Sequence, residues 1–245
     1  MKRLLLLAFL LLPLTLVAKI PDEEDIIRKT IDSSSPYYFT SLMLRYHNLE
    51  QLTDEEYHYL YYGFAYQDDY KPTASNNAAD QLYASLMTLN VENPDVGEMN
   101  HIISLCNQSL LNDPFNPTAL NMLVFAYGAL GDKQKEAAYH RHHQGILNTI
   151  KSSGDGRSEK YPLHIIMFSH ATDVLSSMGL ESKRPEIISR SVQYIPLAET
   201  LRLPDGKIKG LYFDYSRIYR RKPDDVTFKK KRTWQFNNLG VKEYK

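Results

Sequence analysis

Apolar side chains recur every three or four residues through the middle of the chain, which is the spacing of one face of an α-helix. Two such stripes occupy residues 113–151, separated by Gly131-Asp132, a pair typical of a helix end followed by a turn. The pattern therefore predicts two antiparallel helices joined at Gly131. The first stripe consists of Leu120, Leu123, Val124 and Tyr127, and the second includes Ile146, Leu147 and Ile150.

A comparable stripe lies earlier in the chain. Thr53 and Glu56 stand three residues apart at its start, a spacing typical of a capping box. We interpret this helix as the first of an earlier hairpin, with residues 95–111 as its partner and a helix near residues 76–89 inserted between them. Its stripe positions, Tyr59, Tyr62, Gly63 and Tyr66, align with those of the later helix.

After residue 151 the apolar positions approach a period of two, which is typical of β-strands. A run of small residues from Ser152 to Gly156 precedes the change, and Pro204-Asp205-Gly206 predicts a tight turn between two strands. The predicted fold class is α+β, with helical hairpins followed by a small, mainly antiparallel β-sheet. Strands are predicted at residues 163–168, 187–195, 197–203, 207–220 and 226–234, with a short helix at 172–178.

The hairpin at residues 113–151 resembles a tetratricopeptide repeat, a helical hairpin of about 34 residues. The small residue expected in its second helix, Ala137, stands one position later than in that repeat. One hairpin cannot bury its own apolar stripe, so the resemblance implies neighbouring helices and an extended groove suited to a partner. The resemblance rests on Leu120, Leu123, Tyr127, Gly131 and Asp132.

The first 18 residues have the features of a secretory signal: Lys2-Arg3, an apolar block from Leu4 to Val17, and the small residue Ala18. The block is shorter than the about 20 residues that cross a bilayer, although an uncleaved anchor is an alternative. We expect cleavage after Ala18, a periplasmic or secreted product, and no transmembrane segment after cleavage. The predicted divisions are 1–18 (signal), 19–151 (helical domain), 152–222 (small α+β domain) and 223–245 (basic tail or edge strand).

Charge and cysteine content narrow the class of protein. The 245 residues include 29 basic and 29 acidic side chains, and loss of Lys2 and Arg3 leaves a net charge of −2. This balance argues against a dedicated nucleic-acid binder. Cys106 is the single cysteine, so the chain has no internal disulfide, and we interpret this residue as a small buried hydrophobe.

Three short motifs occur in an order that is similar to an uncharacterised family of exported bacterial proteins, a domain of unknown function. The likeness covers about residues 36–220, and it implies a fold and a compartment without supplying catalytic residues. It also implies that the Gly-Asp-Gly turn and the Gly-Leu-Tyr-Phe strand pack as one unit. The motifs are Ser153-Gly154-Asp155-Gly156, His164-Ile165-Ile166 and Lys209-Gly210-Leu211-Tyr212-Phe213-Asp214.

A histidine cluster offers the first candidate chemistry. His140 and His143 share a helix face with His142 between them, yet Glu136 is the only nearby carboxylate in the sequence. Two imidazoles without further ligands make a poor metal site, so we predict a solvated helix face and no metal or other cofactor. The sequence also contains no phosphate-binding or dinucleotide-binding glycine motif.

A hydrolase is the enzymatic alternative. His164, His170 and Asp173 supply suitable residue types near the helical/β junction, and this interpretation requires that they line one cleft. Their sequence context contains no motif for an oxyanion hole, so a helix start is the simpler interpretation of Ser169-His170.

The tyrosine-rich helix and its later counterpart provide a candidate partner-binding face. Positions turned toward the concave side of such hairpins are Tyr57, Leu60, Phe64, Gln67, Asn121 and Phe125. We therefore predict a non-enzymatic module that binds or scaffolds a protein or peptide partner. A cell-surface polysaccharide-binding protein, which would need exposed coplanar tyrosines, is a further alternative.

Overall fold

Helices occupy most of the first part of the protein. The computed structural model describes residues 19–204 and 206–220. The helices in these residues are α1 (Glu23–Ile31), α2 (Phe39–His47), α3 (Asp54–Phe64), α4 (Asn77–Leu86), α5 (Val96–Leu110), α6 (Pro117–Ala129), α7 (Lys133–Lys151), α8 (Ser169–Ser177) and α9 (Ser216–Arg220).

One mixed sheet of four strands follows the helices. Its order is β1-β4-β3-β2, with β4 antiparallel to β3 and parallel to β1, and β2 antiparallel to β3. The α+β class and the mainly antiparallel sheet are therefore confirmed. The strands are β1 (Leu163–His164), β2 (Glu186–Ile187), β3 (Val192–Leu203) and β4 (Gly206–Asp214).

Two helical hairpins stand next to each other, formed by α4 with α5 and by α6 with α7. Helix α5 packs between α4 and α6, whereas α3 packs against α1, α2 and α7. The interpretation of α4 as an insertion between α3 and α5 was therefore wrong, because α4 is itself the partner of α5. Assignment of these hairpins to the tetratricopeptide class stays a prediction.

Side-chain caps fix the starts of most helices. Thr53 Oγ1 accepts a hydrogen bond from the Glu56 amide while the Glu56 carboxylate accepts one from the Thr53 amide, which confirms the predicted capping box. Asn116 Oδ1 accepts from the Ala119 amide at the start of α6. Gly131 ends the first helix of the α6/α7 hairpin with a φ of +81°, as its position predicted.

The strands are shorter than predicted at two places. Only Leu163 and His164 of the predicted strand 163–168 pair as β1, because tyrosine hydroxyls from the helical part bond the backbone of residues 164–166 instead. Strand β4 ends at Asp214, whose carboxylate accepts from the Ser216 amide and begins α9. The predicted strand 207–220 was therefore wrong for its last six positions.

The core consists of two clusters of buried side chains. The larger cluster has members from Ile26 to Ile218 and so includes residues on both sides of the predicted boundary at residue 151. The smaller cluster, around Met99, Ile102 and Leu123, joins α4, α5 and α6. The division into two domains stays a prediction.

Some predictions fall outside the described residues: the signal at 1–18, the strand at 226–234 and the tail at 223–245. In the part of the chain that the structure covers, no helix has both the length and the apolar character needed to cross a membrane. Cys106 is buried, and burial raises the pKa of its thiol to about 12, which agrees with a structural role.

Candidate functional site

A polar cleft lies where the α4/α5 hairpin meets the segment that leads into α8. Its volume is about 180 Å³, the space of about six water molecules. We call it the junction cleft. Its polar lining residues are Lys71, Asn76, Asp80, Tyr83, Asn112, Asp113, Asn116 and Ser169.

A buried chain of hydrogen bonds stands behind the cleft. Tyr61 Oη lies 2.7 Å from His170 Nδ1, and His170 Nε2 lies 3.0 Å from Asp113 Oδ2. The Tyr61 oxygen also accepts from the Ile166 amide. Every proton is paired when the Tyr61 hydroxyl donates to Nδ1 and Nε2–H donates to Asp113. His170 is fully buried, so both ring nitrogens are committed to protein partners.

Asp173 is the second acidic residue behind the cleft. Thr118 Oγ1 donates to Asp173 Oδ1 over 2.8 Å, and the Tyr83 hydroxyl lies 3.4 Å from Thr118 Oγ1. The other carboxylate oxygen, Oδ2, is buried and accepts no hydrogen bond within 3.5 Å from any described residue. The side chain of Tyr83, 41% exposed, separates this oxygen from solvent.

The environment of Asp173 disfavours its charged form. Burial raises the pKa of this carboxyl to about 6, and nearby Asp113 adds to the increase. His170 and the hydrogen bond from Thr118 act in the opposite direction without cancelling the effect of burial. Asp173 is therefore a carboxyl group that titrates near neutral pH at the inner end of the cleft.

A second buried histidine is a structural element of the helical part. His142 Nε2 donates to the Tyr46 carbonyl over 3.0 Å, and the Tyr57 hydroxyl donates to Nδ1 over 2.7 Å. Burial lowers the pKa of His142 to about 4, so the ring is neutral at physiological pH. The prediction of a solvated face was therefore wrong for His142. His140 is exposed and His143 half-buried.

A third polar group lies at the sheet. His164 Nδ1 stands 3.3 Å from Asp214 Oδ2, across the parallel pair β1 and β4. Burial favours the neutral form of Asp214, but hydrogen bonds from His164 and Ser216 outweigh it and lower its pKa to about 2. The Arg217 guanidinium lies over the Tyr62 ring and donates to the Pro21 carbonyl.

The six predicted partner-binding residues do not form one surface. Asn121 is exposed, and Gln67 and Phe125 are half-buried. The other three, Tyr57, Leu60 and Phe64, lie in the larger core cluster, where they pack against neighbouring elements. A role of the six in binding a partner stays a prediction.

The three residues of the hydrolase alternative are also divided. His170 and Asp173 lie behind the junction cleft, whereas His164 pairs with Asp214 at the sheet. The described residues contain no group of three or more His, Cys, Asp or Glu side chains arranged to hold a metal ion.

Sequence reasoning did not single out Tyr61, Tyr83, Asp113 or Thr118. Asp113 stands before a proline at a predicted turn and Tyr61 stands among many tyrosines, so neither had a distinctive pattern. Tyr61 meets His170 across 109 positions of the chain. Nothing in local spacing relates two positions so far apart.

Comparison with known proteins gives one match. A family model described as a domain of unknown function, DUF4919, matches residues 24–223, which include both hairpins, the junction cleft and the sheet. Comparisons with curated proteins and with solved structures gave no match. The chain therefore belongs to the family described as domain of unknown function DUF4919.

Proposed function

We propose that this protein is an exported, non-enzymatic module that binds a protein or peptide partner in the junction cleft. The observation that carries the proposal is the cleft itself, a concavity between helical hairpins and sheet that is lined mainly by hydrogen-bonding side chains. Binding sites commonly occur at such boundaries between structural units.

Charge distribution supports a partner with basic character. Residues 19–151 contain nine Lys or Arg against 18 Asp or Glu, a net charge of −9. Residues 152–220 contain ten basic and eight acidic side chains, a net charge of +2. A strongly acidic helical part attracts cationic partners and speeds their encounter.

The state of the buried histidines supports a binding role over catalysis. A general base needs a ring nitrogen within reach of substrate. In His170 and His142 both nitrogens are bonded to protein groups, and both rings are buried. The hydrolase alternative gains no convergent set from this arrangement.

Photo-crosslinking in the native cell tests the proposal. Benzoylphenylalanine is introduced in place of Tyr83 at the cleft or, as the matched control, in place of Tyr161, which is similarly exposed at 39% and lies outside the cleft lining. We expect a recurrent crosslinked protein at position 83 that is missing at position 161. Identical products at both positions, or none at position 83, would overturn the proposal.

A further inference from the structure

We propose that the inner end of the junction cleft is a subsite for the cationic side chain of a partner's lysine or arginine, and that Asp173 is its anchoring carboxylate. This inference rests on the proposed function, because it specifies which chemical group of the partner enters the cleft. Three observations carry it: an unpartnered buried oxygen, a movable cover and an acidic surrounding.

The unpartnered oxygen points to a missing donor. Asp173 is 7% exposed, and its Oδ2 receives no hydrogen bond from the described residues. Buried carboxylate oxygens are normally hydrogen-bonded, since leaving one unpaired costs free energy. Its partner oxygen Oδ1 is fixed by Thr118, so the carboxylate is held in place for a donor at Oδ2.

The side chain that covers Asp173 can move. Tyr83 belongs to α4, is 41% exposed, and is held toward Thr118 by a long 3.4 Å hydrogen bond. Its ring also lines the junction cleft. A rotation of this ring would open Oδ2 to the cleft at the loss of one weak hydrogen bond.

The surroundings favour a cation. Asp80 lies at the exposed rim of the cleft and Asp113 lines its interior, while Lys71 is the one basic residue among the described lining residues. A volume of about 180 Å³ admits an ammonium or guanidinium group with its methylene stem but no folded segment. Charge-assisted hydrogen bonds to Asp173 would then supply both attraction and orientation.

Cation binding at this site depends on the proton of Asp173. The groups that face this carboxyl are Thr118 from α6, Tyr83 from α4, Asp113 from the loop before α6, and His170 from its own helix. A cation binds the ionised form, so the fraction of ionised Asp173 sets the apparent affinity. With the pKa of Asp173 at about 6, binding should be about tenfold weaker at pH 5 than at pH 7.5.

Titration of the chain from Lys19 to Lys245 with small probes tests the subsite. The probes are N-acetyl-arginine methylamide, N-acetyl-lysine methylamide and the neutral N-acetyl-norleucine methylamide, followed by two-dimensional NMR. We expect saturable binding of the two cationic probes, with a Kd of about 1 mM, and none of the neutral probe. Equal binding of the neutral probe, or no saturable binding of either cation, would overturn the proposal.

Two variants locate the effect. Asp173→Asn keeps the shape and the acceptor for Thr118 but removes the charge, and we expect at least about a tenfold loss of cation affinity together with loss of the pH dependence. Asp80→Asn changes net charge equally at an exposed site, so we expect less than about a threefold loss because solvent screens it. Equal losses in both variants would assign the binding to general attraction and overturn the subsite.

Two further arms separate the remaining explanations. Tyr83→Trp enlarges an exposed cover without altering the core, so it should block the cationic probes even if Asp173→Asn does not fold; unchanged binding would contradict the proposal. Cadaverine tests whether the ligand is a free amine, and equal or tighter binding than the capped lysine would overturn assignment to a partner side chain. Crosslinking at position 83 reports partner binding independently, so failure of the subsite and failure of the proposed function are distinguishable.

Discussion

Tyrosine hydroxyls connect the helical part to the segment between β1 and α8. Tyr62 donates to the His164 carbonyl and Tyr70 donates to the Ile166 carbonyl, while Tyr61 accepts from the Ile166 amide and donates to His170. These hydroxyls replace the neighbouring strand that the backbone here lacks. Each is buried, so none of the bonds competes with water.

Removal of one hydroxyl should therefore be costly. We expect Tyr61→Phe to lower the free energy of unfolding by about 1–3 kcal/mol, because the Ile166 amide and His170 Nδ1 both lose a partner in a buried place. Tyr161→Phe, at an exposed tyrosine, should change it by less than about 0.5 kcal/mol. Urea denaturation of both variants measures the difference, and equal values would refute a structural role for this hydroxyl.

Asp173 should lower stability at neutral pH. Its folded-state pKa of about 6 lies above the unfolded value of about 4, so the stabilising protonated form is fully present below pH 4 and is lost as pH rises through 6. We expect Asp173→Asn to be more stable than the parent chain by about 1–3 kcal/mol at pH 7 and nearly equal to it at pH 4.

Thermal and urea unfolding between pH 4 and pH 7 measure this dependence. The stability difference between Asp173→Asn and the parent should open across that window, whereas Asp80→Asn should follow the parent because its carboxylate is exposed. A constant difference at every pH would show that burial does not shift the pKa of Asp173. A carboxylate kept at a cost in stability is what a binding group produces.

At the scale of elements, close contact between α3 and α7 requires a glycine. A Cβ on Gly145 would lie 2.4 Å from Tyr57 Cε2, and Tyr57 is itself fixed by His142. We expect Gly145→Ala to destabilise the protein by about 1–3 kcal/mol through this overlap. The matched control is Gly128→Ala in α6, where a Cβ would meet only the flexible end of Glu136.

The control should have the opposite sign. Alanine is a better helix former than glycine by about 1 kcal/mol, and the Glu136 side chain can move aside, so Gly128→Ala should be neutral or stabilising. Chemical denaturation of the two variants measures both effects. If Gly145→Ala were also stabilising, the α3/α7 contact would have to be looser than the structure shows.

Local signals explain which elements could be predicted. The capping box at Thr53, the glycine end at Gly131 and the turn at residues 204–206 each depend on a few adjacent residues, so sequence spacing revealed them. The pairing of α4 with α5 and the early end of β1 depend on contacts far along the chain. The cleft belongs to this second kind, because Tyr83, Thr118 and Asp173 come from three separate helices.

At the scale of the whole molecule, the two ends of the described chain meet. The Arg217 guanidinium donates to the Pro21 carbonyl over 3.0 Å, and Arg220 pairs with Glu23. The larger core cluster likewise combines side chains from α1 to α9, whereas the smaller cluster is confined to the α4–α6 region. Sheet and helices therefore share apolar contacts across the predicted boundary at residue 151.

This shared core gives a test of the predicted boundary. A fragment of residues 19–151 would lose the sheet, α8 and α9, and would expose the apolar faces of α3 and α7 together with unpaired hydroxyls of Tyr61, Tyr62 and Tyr70. We expect this fragment to lack a cooperative thermal transition and to bind a hydrophobic dye, since buried area and hydrogen bonds are both lost. The chain of residues 19–220 serves as the control and should unfold cooperatively. Circular dichroism with calorimetry distinguishes the outcomes: cooperative unfolding of the fragment, close to that of the control, would show that the helical part is an independent domain and that contacts with the sheet contribute little to its stability.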